Sequence, residues 1–183
     1  MRRSIYDEDH EAFRASVAEF LDRQVKPHLE EHIEQHAMPR ELWLEAGKQG
    51  FLGLEIPEQY GGSDAGDYRF NAVLTEELSK VNMALPSCVG IHADIVAPYL
   101  VHLTTDEQKE RWLPRFCTGE LLTAIGMTEP SGGSDLAPLP FHRARLQEFP
   151  LVHVERLLSS ICCACRLCCG YVVARVSRQA VQR

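Results

Sequence analysis

Apolar side chains recur at three- and four-residue steps through most of the first 118 positions, and that period commits a chain to amphipathic helices. Phe13, Val17, Phe20, Leu21 and Val25 form the first stripe. Asp7 or Asp9 can cap it. Pro27 kinks or restarts it, and Leu29 and Ile33 extend it among Glu30, Glu31 and Glu34. Pro39 suits the first turn of a short second helix carrying Leu42, Trp43 and Ala46, which Gly47 or Gly50 can close. The segment 51–67, FLGLEIPEQYGGSDAGD, is dense in Pro and Gly and reads as loop. A third helix is expected from about Tyr68 to Val81, with Phe70, Val73, Leu74, Leu78 and Val81 on one side. Pro86 opens a fourth that holds Ile91, Ile95, Val96 and Leu100. Its few charges predict burial nearly all round. Thr105 with Gln108 makes a capping box for a fifth helix ending near Phe116, and Gly119 closes the helical region. From Leu121 to Met127 the text becomes LLTAIGM, a short apolar run ahead of a Pro/Gly-rich turn, which reads as a strand. The expected fold is therefore mainly α: about five helices, then the first strand of an incomplete β domain.

Composition sharpens this. The chain has 183 residues, about one domain, and a formal charge of −7. An acidic chain is a poor match to a phosphate backbone, so nucleic acid is not the expected partner. Asp7, Glu8 and Asp9 stand where an export signal would need an apolar stretch, so the expected compartment is the cytoplasm, with no membrane partner. The average conceals a break at residue 138. Before it lie eleven of the twelve glycines, with twelve Lys/Arg against twenty-four Asp/Glu. After it lie seven Arg, two Glu and neither Lys nor Asp, with five of the seven cysteines packed between Cys162 and Cys169.

The chemistry concentrates in 126–137, GMTEPSGGSDLA. Thr128, Ser131 and Ser134 offer hydroxyls, and Gly132 and Gly133 let the backbone come close to a ligand and aim N–H groups at it. Such a concavity suits a polar or anionic ligand such as a pyrophosphate. No Gly-Lys-Ser/Thr follows, so it is not the Walker loop, and the three-glycine Rossmann spacing is missing. Turn chemistry alone leaves a plain surface turn open as well. His28, His32 and His36 fall at i, i+4, i+8 and could share a helix face, but their acidic neighbours favour a solvated face over a metal site. Cys88 and Cys117 read as small buried apolar residues.

The string Gly126, Met127, Thr128, Glu129, Gly132, Gly133, Ser134, Asp135 resembles the first signature of the acyl-CoA dehydrogenases. The resemblance extends over most of 5–137, through FRASVAEFLDRQVKPHLEE, LWLEAGKQGFLGLEIPEQYGG and TDEQKERWLPRFCTGEL, and GIHADIVAPYL looks most like the long-chain branch. It implies FAD as cofactor and desaturation of an acyl-CoA thioester between Cα and Cβ, as in fatty-acid β-oxidation. A carboxylate takes the α-proton, and an electron-transferring flavoprotein is the acceptor. It also implies that Thr128 and the backbone of Ile125 and Met127 face the flavin. Gly133 and Ser134 hold the pyrophosphate side, Ser134 also lies near the acyl-CoA, and the helix at 86–101 helps line the acyl cavity. Family members form homodimers or tetramers.

The match stops at Ala137, where Pro138 stands in place of the signature's last small residue. The expected division is a helical domain over 5–118, the start of a middle β domain with the flavin loop over 119–137, and an atypical Arg/Cys-rich tail over 138–183. The segment that would supply the catalytic carboxylate finds no counterpart, so no catalytic residue is assigned, and Glu129 is left a structural role. An inactive fragment is expected. The tail reads best as a change of reading frame after codon 137. A membrane segment at Leu157–Ala174 would place Arg166 near its centre at about 3 kcal/mol. The competing function is a non-catalytic helical interaction module with a cysteine-rich metal-binding tail, using the CxxC pairs Cys162/Cys165 or Cys165/Cys168 with His142 or His153.

Overall fold

The computed structural model describes residues 5–125 and 171–174. Helical segments follow one another along five rods, and a short strand closes the series. The first rod is α1 (Glu8–Phe20), a π-helical turn over Leu21–Val25, a 3-10 turn over Lys26–His28 and α2 (Leu29–Glu34). Asp7 is its N-cap: the Asp7 side chain accepts from the His10 N–H, and the His10 ring faces back to the Asp7 N–H. The wider π turn precedes Pro27, so the stripe Val17, Leu21, Val25 still points inward where the chain changes pitch. The second rod is α3 (Arg40–Lys48). Pro39 sits one position earlier than expected, as the N-cap in extended conformation, because its ring fixes φ at −59° while ψ is 148°. The third is α4 (Arg69–Val81).

The fourth rod joins α5 (Ala84–Gly90), a π segment over Ile91–Val96 and α6 (Ala97–Leu103) into twenty continuous residues. It begins two residues before Pro86, which falls in the first turn, where a missing N–H costs nothing. The expectation of burial all round is corrected here. Leu85, Val89, His92, Ala93, Val96, Ala97 and Leu100 face the core, whereas Ile95 and Leu103 are 45% and 51% exposed. Among the described residues, the elements packed against the rod leave Ile95 and Leu103 uncovered, so the helical period again produces one buried stripe. By length and hydropathy this is the one rod among the described residues that could cross a membrane; here its apolar stripe is core. The fifth rod is α7 (Asp106–Cys117), with the Thr105–Gln108 capping box in place.

Two apolar clusters hold the rods together. The larger joins α1, α3, α4 and α5 through residues such as Leu21, Trp43, Leu52, Leu74 and Val89. Edge-on aromatic contacts of Phe13 with Phe51 and with Phe70 tie α1 to the 51–56 loop and to α4. The smaller cluster packs Val96, Ala97 and Leu100 onto Leu113 and Phe116. Cys117 is buried as expected, but Cys88 is only half-buried, on the flank of α5. His36 lies beyond α2 with φ +51°, and His28 lies in the 3-10 turn, so the three histidines do not line one helix face.

Strand β1 (Leu122–Ile125) follows the turn at Gly119. It pairs in parallel with β2 (Tyr171–Ala174), in the register Leu122 to Tyr171 through Ile125 to Ala174. The tail therefore contributes a strand, which its Cys/Arg composition did not suggest. Tyr-Val-Val-Ala is nonetheless a β-branched and aromatic run of the kind that fits a pleated surface.

Candidate functional site

The junction between the helical layer and β1 is built from glycines and one histidine. Gly119 has φ +76°, a backbone state that side chains disfavour. A Cβ on it would lie 2.8 Å from the Trp43 carbonyl carbon and closer still to the oxygen. From the other side, a Cβ on Gly47 would come within 2.8 Å of the Cys117 carbonyl oxygen. The α7–β1 turn and α3 thus meet backbone to backbone, and Arg40 reaches across to donate to the Glu120 carbonyl.

His92, on the π segment, is fully buried under this turn. Its ring stacks on Phe116 at 3.8 Å and meets Trp43 edge-on at 5.7 Å. Nδ1 lies 2.9 Å from Thr123 Oγ1 and 3.3 Å from the Thr123 N–H. Nε2 lies 3.3 Å from the Phe116 carbonyl oxygen. A backbone N–H can only donate and a carbonyl can only accept. Nδ1 is therefore the acceptor, Nε2 carries the hydrogen, and the ring is neutral. Burial drives the same way: desolvation pushes its pKa down to about 4, against a small opposing pull from the Phe116 carbonyl. Sequence reasoning passed over His92. The signal was present in the spacing 85, 89, 92, 96, 100, which puts a lone imidazole in line with buried aliphatics.

Beyond Thr123, Ala124 is buried and Ile125 is half-buried against the smaller apolar cluster. Of the five residues expected at the flavin, only Ile125 is described; Met127, Thr128, Gly133 and Ser134 lie outside the described residues. So do the CxxC pairs and both histidines of the alternative metal reading. Among the described residues, no group of three His, Cys, Asp or Glu is arranged to hold a metal ion.

The outer side of the fourth rod presents Ile95 and Leu103, with Tyr68 exposed nearby. A polar knot borders it. Tyr68 donates to Asp94 at 2.8 Å, and the Asn71 amide donates to Glu55 at 3.0 Å and to Asp94 at 3.3 Å. Burial, and then the Asp94 charge, push the Glu55 pKa up. These groups too escaped notice in the sequence, because no motif joins positions 55, 71 and 94.

The acyl-CoA dehydrogenase N-terminal domain profile matches residues 7–120. The rat long-chain specific acyl-CoA dehydrogenase, a protein named as mitochondrial, is 42% identical over 134 residues, which cover 73% of this chain and 31% of that protein. A solved acyl-CoA dehydrogenase from Geobacillus kaustophilus superposes with a TM-score of 0.70 at 43% identity, over 75% of this chain and 36% of the other. A glutaryl-CoA dehydrogenase from Mycobacterium smegmatis, solved in complex with FADH2, superposes at 0.67 with 30% identity, over 74% and 34% of the two chains. The chain spans about a third of the length of the curated relatives it matches. The helices and the glycine-built turn at Gly119 lie within the matched residues 7–120, and the chain belongs to the acyl-CoA dehydrogenase family.

Proposed function

We propose that this chain carries the flavin-facing front of an FAD-dependent acyl-CoA dehydrogenase, acting in α,β-desaturation of acyl-CoA thioesters in fatty-acid β-oxidation. The observation that carries the reading is the junction itself. β1 is pinned under the helical layer, and its last residue, Ile125, leads directly into the GMTEPSGGSD string. The donor set of that string fits FAD. Hydroxyls at Thr128 and Ser134 and unhindered amides at Gly132 and Gly133 suit a polar ring edge and a diphosphate. Thr128 and the main chain of Ile125 and Met127 would face the ring. Gly133 and Ser134 would hold the diphosphate, with Ser134 also near the acyl-CoA. When bound, FAD supplies the hydride acceptor, and the protein's part is to position the reacting carbons. The fourth rod over residues 86–101, which carries the exposed Ile95, would help line the acyl cavity.

None of residues 1–183 is assigned the carboxylate base, so this chain by itself is proposed to form no enoyl product, since an incomplete site cannot align thioester, flavin and base. An electron-transferring flavoprotein as acceptor and assembly into homodimers or tetramers come with the same reading. The cytoplasm is kept as the proposed compartment, and fractionation of the tagged chain separates it from the mitochondrial setting named for the rat relative. Residues 138–183 are proposed to arise from a reading-frame change. Another frame past codon 137 should then encode the rest of the family's middle domain. The test of the flavin reading is titration of the purified chain with FAD. Thr128→Ala and Ser134→Ala should each weaken binding several-fold, and a wild-type chain that binds no FAD, or variants that bind as well as wild type, would refute it.

A further inference from the structure

We propose that His92 is the positioning residue for β1: as a neutral imidazole bridging the Phe116 carbonyl and Thr123, it fixes the height and register at which the strand leaves the helical layer. Three observations converge. Thr123 directs both its N–H and its hydroxyl at Nδ1. The Phe116 carbonyl accepts from both the Gly119 N–H and Nε2. The ring is also stacked on Phe116 and met edge-on by Trp43, so it cannot turn away without disturbing the core. The functional consequence rests on the flavin reading, because Ile125 stands two residues beyond Thr123.

The bridge works in one protonation state only. A proton on Nδ1 would face the Thr123 N–H, a donor against a donor. Among the described residues, the ring is met by Trp43 from α3, Phe116 from α7 and Thr123 from β1, and none of these three carries a charge that could neutralise an imidazolium. The neighbouring Cys117 thiol is pushed up to about 11 by burial and stays neutral as well. Acid therefore releases β1 before it releases the helical layer.

The experiment is hydrogen exchange on the full chain from pH 7 to 4, corrected for intrinsic rates, with nitrogen-15 spectra of the histidine rings. At pH 7 the His92 ring should be neutral with the hydrogen on Nε2. Protection at 122–125 should fall as pH drops from about 6.5 to about 4, by at most roughly 300-fold. The amides of α1 and α4 should hold over the same range. His92→Phe keeps the stacked ring and removes both nitrogens, and it should abolish the pH step. Should that variant not fold, His92→Gln retains a donor and an acceptor and should keep protection at pH 7 without the step. A ring protonated at pH 7, a hydrogen on Nδ1, or the same step in wild type and either variant would overturn the proposal. Flavin affinity is measured in parallel. Absence of FAD binding in wild type counts against the flavin reading and leaves the exchange result standing. Loss of β1 protection with flavin affinity unchanged overturns the link between the two.

Discussion

Replacing Gly119 by Ala tests the junction at its tightest point. Two costs are separable. The residue sits at φ +76°, which for a residue with a Cβ costs about 1–2 kcal/mol. The new methyl would also meet the Trp43 carbonyl within 2.8 Å, and Leu52 Cδ1 at 3.2 Å. The carbonyl is backbone on α3 and cannot swing aside, so relief requires α3 to shift against the turn. Overpacking of that kind costs about 1–3 kcal/mol. The sum, about 2–5 kcal/mol, is a large part of the ~5–15 kcal/mol that holds a domain folded. Gly61 supplies the control. It has φ +87°, but a Cβ there meets nothing within 4 Å. Gly61→Ala should therefore carry the conformational cost alone. Urea unfolding followed by far-ultraviolet circular dichroism measures both. The difference between the two variants is the contact contribution and should be about 1–3 kcal/mol. Equal losses would mean that backbone-to-backbone packing of α3 on the turn does not stabilise the junction.

Three further outcomes are expected. Arg14 bonds Glu77 at 2.6 Å and Glu76 at 3.0 Å, and burial alone would push the Glu77 pKa up, but bonds from Lys80 and Arg14 bring it below its ordinary value. Lys80 still screens the Glu77 carboxylate, so Arg14→Met should cost about 1–3 kcal/mol in the same unfolding assay, with part recovered on adding Glu77→Gln, which removes the charge that lost its partner. Burial also pushes the Cys117 thiol up to about 11, so peptide mapping after alkylation at pH 8 should find Cys117 unmodified in the folded chain and modified in urea. The folded-state value for His92, about 4, lies below its free value of 6.5, so the unfolded chain takes the proton first. Stability from this group is whole above pH 6.5 and lost as pH falls towards 4, by at most ~3 kcal/mol. Glu55 acts with opposite sign: its pKa is raised, so its protonation favours the fold as pH falls through that value. The wild type minus His92→Phe difference isolates the histidine, and a flat difference across pH 4–7 would refute the assignment.

The rods were legible in the sequence because an apolar period marks each, with a capping residue added at the start of the first and fifth. Thr105 with Gln108, and Val17 with Leu21 and Val25, act within a few residues of themselves, where local rules hold. The fourth rod misled because a low count of charges says how apolar a helix is, not how many neighbours cover it; Ile95 and Leu103 are apolar and exposed. β2 was missed for a different reason. Four residues of strand pattern gain their meaning from a partner 49 positions away, and loop closure of that length leaves no local mark. The site divides the same way. The 126–135 string proposed for the flavin is contiguous and readable, whereas His92, Thr123 and Phe116 become one unit only when α7 turns at Gly119.

A loop that wraps a ligand gains precision from the rigid elements at its ends. In this chain the course of β1, ahead of the proposed flavin string, is fixed by contacts that tolerate little variation: a glycine with no room for a methyl, a carbonyl carrying two donors, and an imidazole that must stay uncharged. None of these touches a ligand, and none would be picked out by a search for catalytic side chains. Their effect is to convert the stability of the helical core into the position of Ile125. Substitutions at Gly119 or His92 should therefore disturb the loop that follows even where the helices themselves stay folded. Substitutions on the outer side of the fourth rod, at Ile95 or Leu103, should leave that position unchanged.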